Sequence, residues 1–357
     1  MAIRVAILGL DPVQHDWIDA LGMLRGEGEI EVVAVADRSL NVAKSIVDAL
    51  GPPCDEIAAY DDLRTLFKER LPEVVLMDRP AIATVEFLCS CVEQGIGVLS
   101  LGPPVESVAE AQALAEALGP RDHRLYVWPR MLDAPAIRHC AQADEFVRPI
   151  RFASASWLAV NHAIAKGLPE DAPQKQLVVR SLSALAWDAF ATLIEFLGTP
   201  STVYACLRGT PSSAGTFNDL SGAASLTLRF PGPIGGTATD ETVVSVTLCD
   251  QHPGPAHRDL LLLGKGGSVF LQTNVYAFHN EHGLLIDALP PPPQVPPSSV
   301  QAAGTLREFL DHFRQPTSPV RGWDQRLVQI AATMEAMLVS QRTGQAESPE
   351  RFVHLRR

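Results

Sequence analysis

Short, continuously apolar runs alternate with amphipathic stretches through the first third of the chain, and no other feature limits its fold so sharply. The runs Ile3–Leu8, Ile30–Ala36, 73–77, 96–99 and Leu125–Val127 carry apolar, often β-branched residues at consecutive positions. That is the pattern of strands covered on both faces, which parallel sheets require. Between them, 13–24, 40–50, 61–69, 82–94 and 105–118 have helical spacing, several opened by Ser or Asp and closed by Gly, as at Ser39 and Gly51. Strands and helices alternating across short connections predict a Rossmann-type, doubly wound parallel sheet. Ligands are received at the carboxyl ends of its strands.

A chain of 357 residues exceeds what one core usually serves, so a second domain is expected. The runs 151–159, 202–207, Ala223–Phe230, 242–248 and 260–263 alternate or are β-branched, with turns such as Pro231-Gly232-Pro233 between them. They predict a large, mostly antiparallel open sheet, so the fold class is α/β in both parts. The expected division is a nucleotide-binding domain over 1–125, an open-sheet domain over 126–300 and C-terminal helices over 301–357 that pack back on the first domain. The prolines of 290–293 and 296–297 make a stiff connector before helices at 304–313 and 323–340.

Acidic residues outnumber basic ones, 41 to 29, which disfavours nucleic acid or anionic lipid as the partner and leaves a small molecule or a protein. No apolar run approaches the roughly 18 residues of a membrane span, and the opening Met1-Ala2-Ile3-Arg4-Val5 reads as a strand rather than a signal peptide. Six cysteines (Cys54, Cys89, Cys91, Cys140, Cys206, Cys249) lack CxxC spacing, so no thiolate metal site is expected and a reducing cytoplasm fits.

A dinucleotide fold wants G-x-G-x-x-G after its first strand, because glycines let the pyrophosphate approach the helix N-terminus. This chain has Gly9-Leu10-Asp11-Pro12-Val13-Gln14. Asp11 brings a carboxylate toward the phosphates and Pro12 removes an N–H donor, so NAD or NADP is expected to bind weakly or not at all. Strand two ends in Asp37-Arg38. Asp37 is placed to hold a ribose 2′-OH, or to cap the helix at Ser39, while Arg38 suits a 2′-phosphate.

Further segments, in order, resemble the Gfo/Idh/MocA oxidoreductases. Tyr60-Asp61-Asp62-Leu63 precedes the strand that leads to Pro80, similar to that family's strand-end proline. Gly95-Ile96-Gly97-Val98 with Pro103 resembles its "aGkhV…EKP" segment, and Arg130 through Pro135 its "R…P" entry to a linking helix. Phe196-Leu197-Gly198-Thr199-Pro200 looks like "LLGxP", 264–268 like a "GtkGs" turn, and 340–344 like the closing "SxxtG". The resemblance spans nearly the whole chain. It implies an NAD(P)-binding domain, with Gly9, Asp11, Pro12, Asp37, Arg38, Pro80, Gly102 and Pro103 at cofactor positions, a sugar-like or polyol substrate in the crevice between domains, and an open sheet that forms a homo-oligomer.

It also implies a lysine, and a histidine with an aspartate, near the nicotinamide. The matched lysine position is Gly102, the histidine position Asp188, the aspartate position Ala184 and the strand-end histidine position Thr84. Glycine can neither donate nor accept a side-chain proton. Asp188, on an otherwise apolar helix, reads either as an acid with a raised pKa or as an N–H-bonded structural aspartate. His162 and Lys166, in a loop-like segment after Trp157, are candidate replacements or solvated loop residues. His252, His257, His279 and His282 lack metal-ligand spacing, so no metal is expected. Two functions follow: a catalytically degenerate relative that keeps the fold and a ligand, or a working NAD(P)-dependent oxidoreductase using Asp188, His162 or Lys166. The site residues favour the first.

Overall fold

A computed structural model describes residues 2–10, 15–52, 56–78, 83–128, 130–140, 147–160, 182–210, 215–217, 220–232, 241–252, 256–289, 298–314 and 323–354. The chain forms two compact units, Met1–Trp128 with Pro296–Leu327, and Pro129–Val295 with Val328–Arg357.

The first unit is a six-stranded sheet. Its strands are β1 (Ile3–Leu8), β2 (Ile30–Ala36), β3 (Ala58–Tyr60), β4 (Val74–Met77), β5 (Gly97–Ser100) and β6 (Leu125–Val127), in the order β3-β2-β1-β4-β5-β6. Every pairing is parallel. Every residue of β4 and β5 is buried, as expected of consecutive apolar residues in a sheet covered on both sides. The order reverses between β1 and β4, so the connections that follow these two strands diverge and leave the switch point where this architecture receives ligands. Helices α1 (His15–Gly26), α2 (Leu40–Ala49), α3 (Leu63–Glu69), α4 (Val85–Glu93) and α5 (Val108–Leu118) connect the strands. A later helix, α8 (Ser298–Arg314), closes the same core: Ala302, Leu306, Phe309 and Leu310 join Trp17, Leu21 and Leu24 of α1.

The second unit is an eight-stranded sheet ordered β14-β13-β12-β11-β7-β10-β9-β8. Here β7 is Ile150–Val160, β8 Thr202–Arg208, β9 Ala223–Phe230, β10 Thr242–His252, β11 His257–Gly264, β12 Gly267–Gln272, β13 Tyr276–Asn280 and β14 Leu285–Leu289. Only β7 and β10 pair in parallel; the other pairings are antiparallel. Period-two alternation sorts the faces. Trp157, Leu226, Leu228, Val246, Leu248, Leu260 and Leu262 are buried, while Phe152, Tyr204 and Val243 on the opposite parity are exposed. The buried face carries α7 (Leu182–Leu197), whose residues are buried almost throughout. Helices α6 (Pro135–Cys140), α9 (Trp323–Thr343) and α10 (Pro349–His354) complete the described α-helices, and a 3-10 helix at Gly119–Arg124 precedes β6. Ile330, Met334 and Met337 of α9 are fully buried. The proline connector lies outside the described residues.

The fold class is as the sequence predicts. Four strands go beyond that reading: β3, three half-buried residues long, and β12 to β14, which extend the sheet past β11. No helix among the described residues is long and apolar enough to cross a membrane.

Candidate functional site

In the first unit the candidate site is the row of strand ends at the switch point. Gly9 leaves β1 with φ 63°, a conformation that favours glycine, and its N–H donates to the Ala36 carbonyl at 2.9 Å. Asp37 follows β2, its N–H donating to the Tyr60 carbonyl at 3.1 Å. The Asp37 side chain is 6% exposed. Its Oδ1 accepts the Ser39 N–H at 3.1 Å, whereas its buried Oδ2 has no partner among the described residues. Ser39 caps α2 by position without a side-chain hydrogen bond, so the local bond at this turn comes from Asp37. One oxygen thus serves the turn into α2, and the other is left without a partner among the described residues. The free oxygen is an acceptor awaiting a donor, the group a ligand hydroxyl provides. Arg38 is exposed.

After β5, Leu101 N–H donates to the Met77 carbonyl at 2.7 Å and Ser100 Oγ to the Gly102 carbonyl at 2.8 Å. A Cβ at Gly102 would lie 3.4 Å from the Asp78 carbonyl, ordinary contact, so nothing forbids a side chain there. Pro103 is buried beside it. Asp11, Pro12 and Pro80 lie outside the described residues. Thr84 is the N-cap of α4, its Oγ1 accepting the Phe87 N–H at 3.3 Å.

In the second unit the chemistry gathers around Asp188, on the face of α7 turned to the sheet. Its side chain is buried, and it accepts from three donors: Met131 N–H on Oδ1 at 3.1 Å, and Trp157 Nε1 at 2.9 Å and Arg258 Nε at 2.8 Å on Oδ2. Arg258, 6% exposed, stands directly across the strand pair from Trp157. A second buried carboxylate, Asp250 of β10, accepts the Gly222 N–H on Oδ1 and the Leu182 N–H on Oδ2, each at 3.0 Å, and so fastens the start of α7 to the sheet. His162 and Lys166 lie outside the described residues.

The His252 and His257 ring centroids are 5.9 Å apart, and His257 Nε2 is 3.5 Å from Asp259 Oδ2. His282 meets Glu281 in an exposed pair, and His279 lies on β13. Among the described residues no three His, Cys, Asp or Glu side chains come together as a metal site.

Sequence reasoning missed Arg258, Trp157 and Asp250 as partners. A signal existed for Arg258: in 257–264 the alternation puts it on the same face as Leu260 and Leu262, and a charge at a core position requires a partner.

No family model matches the chain, and no curated protein matches it in sequence. Solved structures match it over nearly its whole length. An oxidoreductase from Agrobacterium radiobacter, solved with NAD+, L-tartaric acid and magnesium, aligns with a TM-score of 0.73 at 13% identity, covering 98% of this chain and 99% of that one. Levoglucosan dehydrogenase, solved with NADH and L-sorbose, gives 0.74 at 14% identity over 98% and 99%. A myo-inositol dehydrogenase from Corynebacterium glutamicum gives 0.66 at 15% identity over the same shares. These are oxidoreductases of the Gfo/Idh/MocA type, and what this chain shares with them is the fold, as the sequence motifs imply.

Proposed function

We propose that the chain is a non-catalytic relative of the Gfo/Idh/MocA oxidoreductases that keeps the fold to bind a small ligand and no longer moves a proton alongside a hydride. The Asp188 carboxylate carries this reading. A general acid or base needs a lone pair or proton free to face the substrate. Asp188 instead serves three donors of its own unit, and protonating it would strand the buried Arg258 charge. At the other matched positions, Gly102 has no side chain and the Thr84 hydroxyl is engaged as a cap. With Ala184 at the fourth, none of the four is left with a group for proton transfer.

NAD, where it binds such a fold, supplies the hydride acceptor. The residues that would hold it here are Gly9, by close backbone approach, and Asp37, whose free Oδ2 suits a ribose 2′-OH. A 2′-phosphate would set like charge against that oxygen, so NAD is favoured over NADP. Asp11 and Pro12, in the phosphate turn, keep the affinity low.

Titration calorimetry with each cofactor, together with assays for nicotinamide reduction against a panel of polyols, tests the proposal. The expected result is weak binding, tighter for NAD, and no turnover. Low-micromolar affinity with steady turnover contradicts it and favours an active oxidoreductase that draws on His162 or Lys166.

A further inference from the structure

We infer that Arg258 receives a carboxylate of the bound ligand and that Asp188 is the residue that positions it. The inference rests on the ligand-binding reading above and names the chemistry of the ligand.

A guanidinium carries five N–H donors in a rigid planar fork and stays charged. Asp188 Oδ2 takes the Nε at 2.8 Å, and among the described residues the Arg258 guanidinium makes no other hydrogen bond. Its two Nη groups are left with four N–H donors on a side chain that is 6% exposed. Neither Nη is among the buried polar atoms that lack a partner, so this edge of the guanidinium reaches solvent although the residue is otherwise buried. A guanidinium pinned at Nε by a buried carboxylate, with its outer edge reachable from solvent, is preorganised to take an acceptor from a ligand.

The surroundings define that acceptor. Trp157 Nε1 and Met131 N–H hold the Asp188 carboxylate from two further directions. The carboxylate in turn fixes the Nε edge and with it the plane of the guanidinium. The strand register adds a second constraint, since Arg258 sits opposite Trp157 on the buried face of the sheet. What stays open is the outer edge, where two parallel Nη–H bonds match the oxygen spacing of a carboxylate in a bidentate pair. Asp188 already balances the arginine's charge, so a singly charged carboxylate suits this edge better than a phosphate dianion. A neutral polyol presents hydroxyls without charge assistance and should bind more weakly.

Calorimetry on the full chain with matched pairs tests this: D-glycerate against glycerol, and D-gluconate against D-glucitol, with inorganic phosphate as a carboxylate-free anion. Wild type should prefer at least one acid over its matched polyol by about tenfold or more, which is about 1.4 kcal/mol, and over phosphate. Arg258→Lys keeps a cation beside Asp188 but removes the two-nitrogen edge, and should lose that preference. Should Arg258→Lys fail to fold, the paired variant Asp188→Leu with Arg258→Met removes both charges together and should also show no preference. Equal binding of acid and polyol in wild type, phosphate binding as tightly as the acids, or a preference that survives in the folded variants overturns the inference. Cofactor titration and turnover on the same samples separate the two proposals. No acid preference in a chain without turnover overturns this inference alone, whereas acid preference with steady turnover overturns the non-catalytic reading alone.

Discussion

Gly222 joins the end of β8 to the start of β9 at a point with no room for a side chain. Its φ is 90°, and a Cβ would stand 2.1 Å from the Arg208 carbonyl, while its N–H donates to Asp250. Gly222→Ala is expected to cost at least about 1–3 kcal/mol, read as a lower denaturation midpoint; an unchanged midpoint would contradict the geometry. Asp62 offers a pH-dependent case. The Thr65 hydroxyl and N–H, with the Arg64 N–H, hold its carboxyl below the ordinary carboxylate range. A lowered folded value means that the stabilisation is complete above that range and is lost as pH falls through the lowered value. Melting temperature should therefore fall less between neutral and acidic pH in Asp62→Asn than in wild type. At this scale the sequence is half legible. Asp188 stands out as a charge on an apolar helix, and Asp37 as an acid ending a strand. Their partners do not: Arg258 lies 70 positions beyond Asp188, a pairing set by the packing of α7 on the sheet and by no local pattern.

Helix starts follow local rules at some ends and not at others. Ser107 accepts the Glu110 N–H at 3.3 Å ahead of α5, so Ser107→Ala should cost about 1 kcal/mol in chemical denaturation. A loss near zero would mean that α5 is held by packing alone. Ser39 departs from the rule: its hydroxyl makes no cap hydrogen bond, and the side-chain bond at this turn is Asp37 accepting the Ser39 N–H. Strand legibility tracks burial. The limits of β1, β2, β6 and β9 can be read directly, since apolar runs and strict alternation are strong signals. β3 and β14 escape because one is three half-buried residues and the other is almost wholly exposed, so neither imposes an apolar pattern. The glycine turn 264–267 marks the hairpin that begins the unread part of the sheet.

At the scale of the whole molecule, the outward face of the eight-stranded sheet leaves apolar side chains uncovered among the described residues. Leu263, Phe152 and Val243 are exposed and directly opposite one another on β11, β7 and β10, with Ser154 and Ser245 in the next row. We propose that this face mediates self-association. Light scattering should give a dimer or larger species, and Phe152→Asp should shift it toward monomer; a monomeric wild type at micromolar concentration would contradict this. The overall architecture was legible because β-α alternation and the ordered motifs act over long stretches of chain. What the chain does with it was less so, because function resides in the contacts of a few side chains. The central claim is that the fold was kept while its proton-transfer position took on a structural role, and Asp188→Asn tests it with melting temperature and nicotinamide turnover measured on the same sample. The substitution keeps the shape and removes the charge that pairs with Arg258. The account predicts no turnover in either protein and a marked drop in melting temperature, reflecting about 3–5 kcal/mol lost on breaking a buried pair. A wild type that turns over, with Asp188→Asn about 10²–10⁴-fold slower at an unchanged melting temperature, would show that Asp188 is a working acid or base and contradict the account.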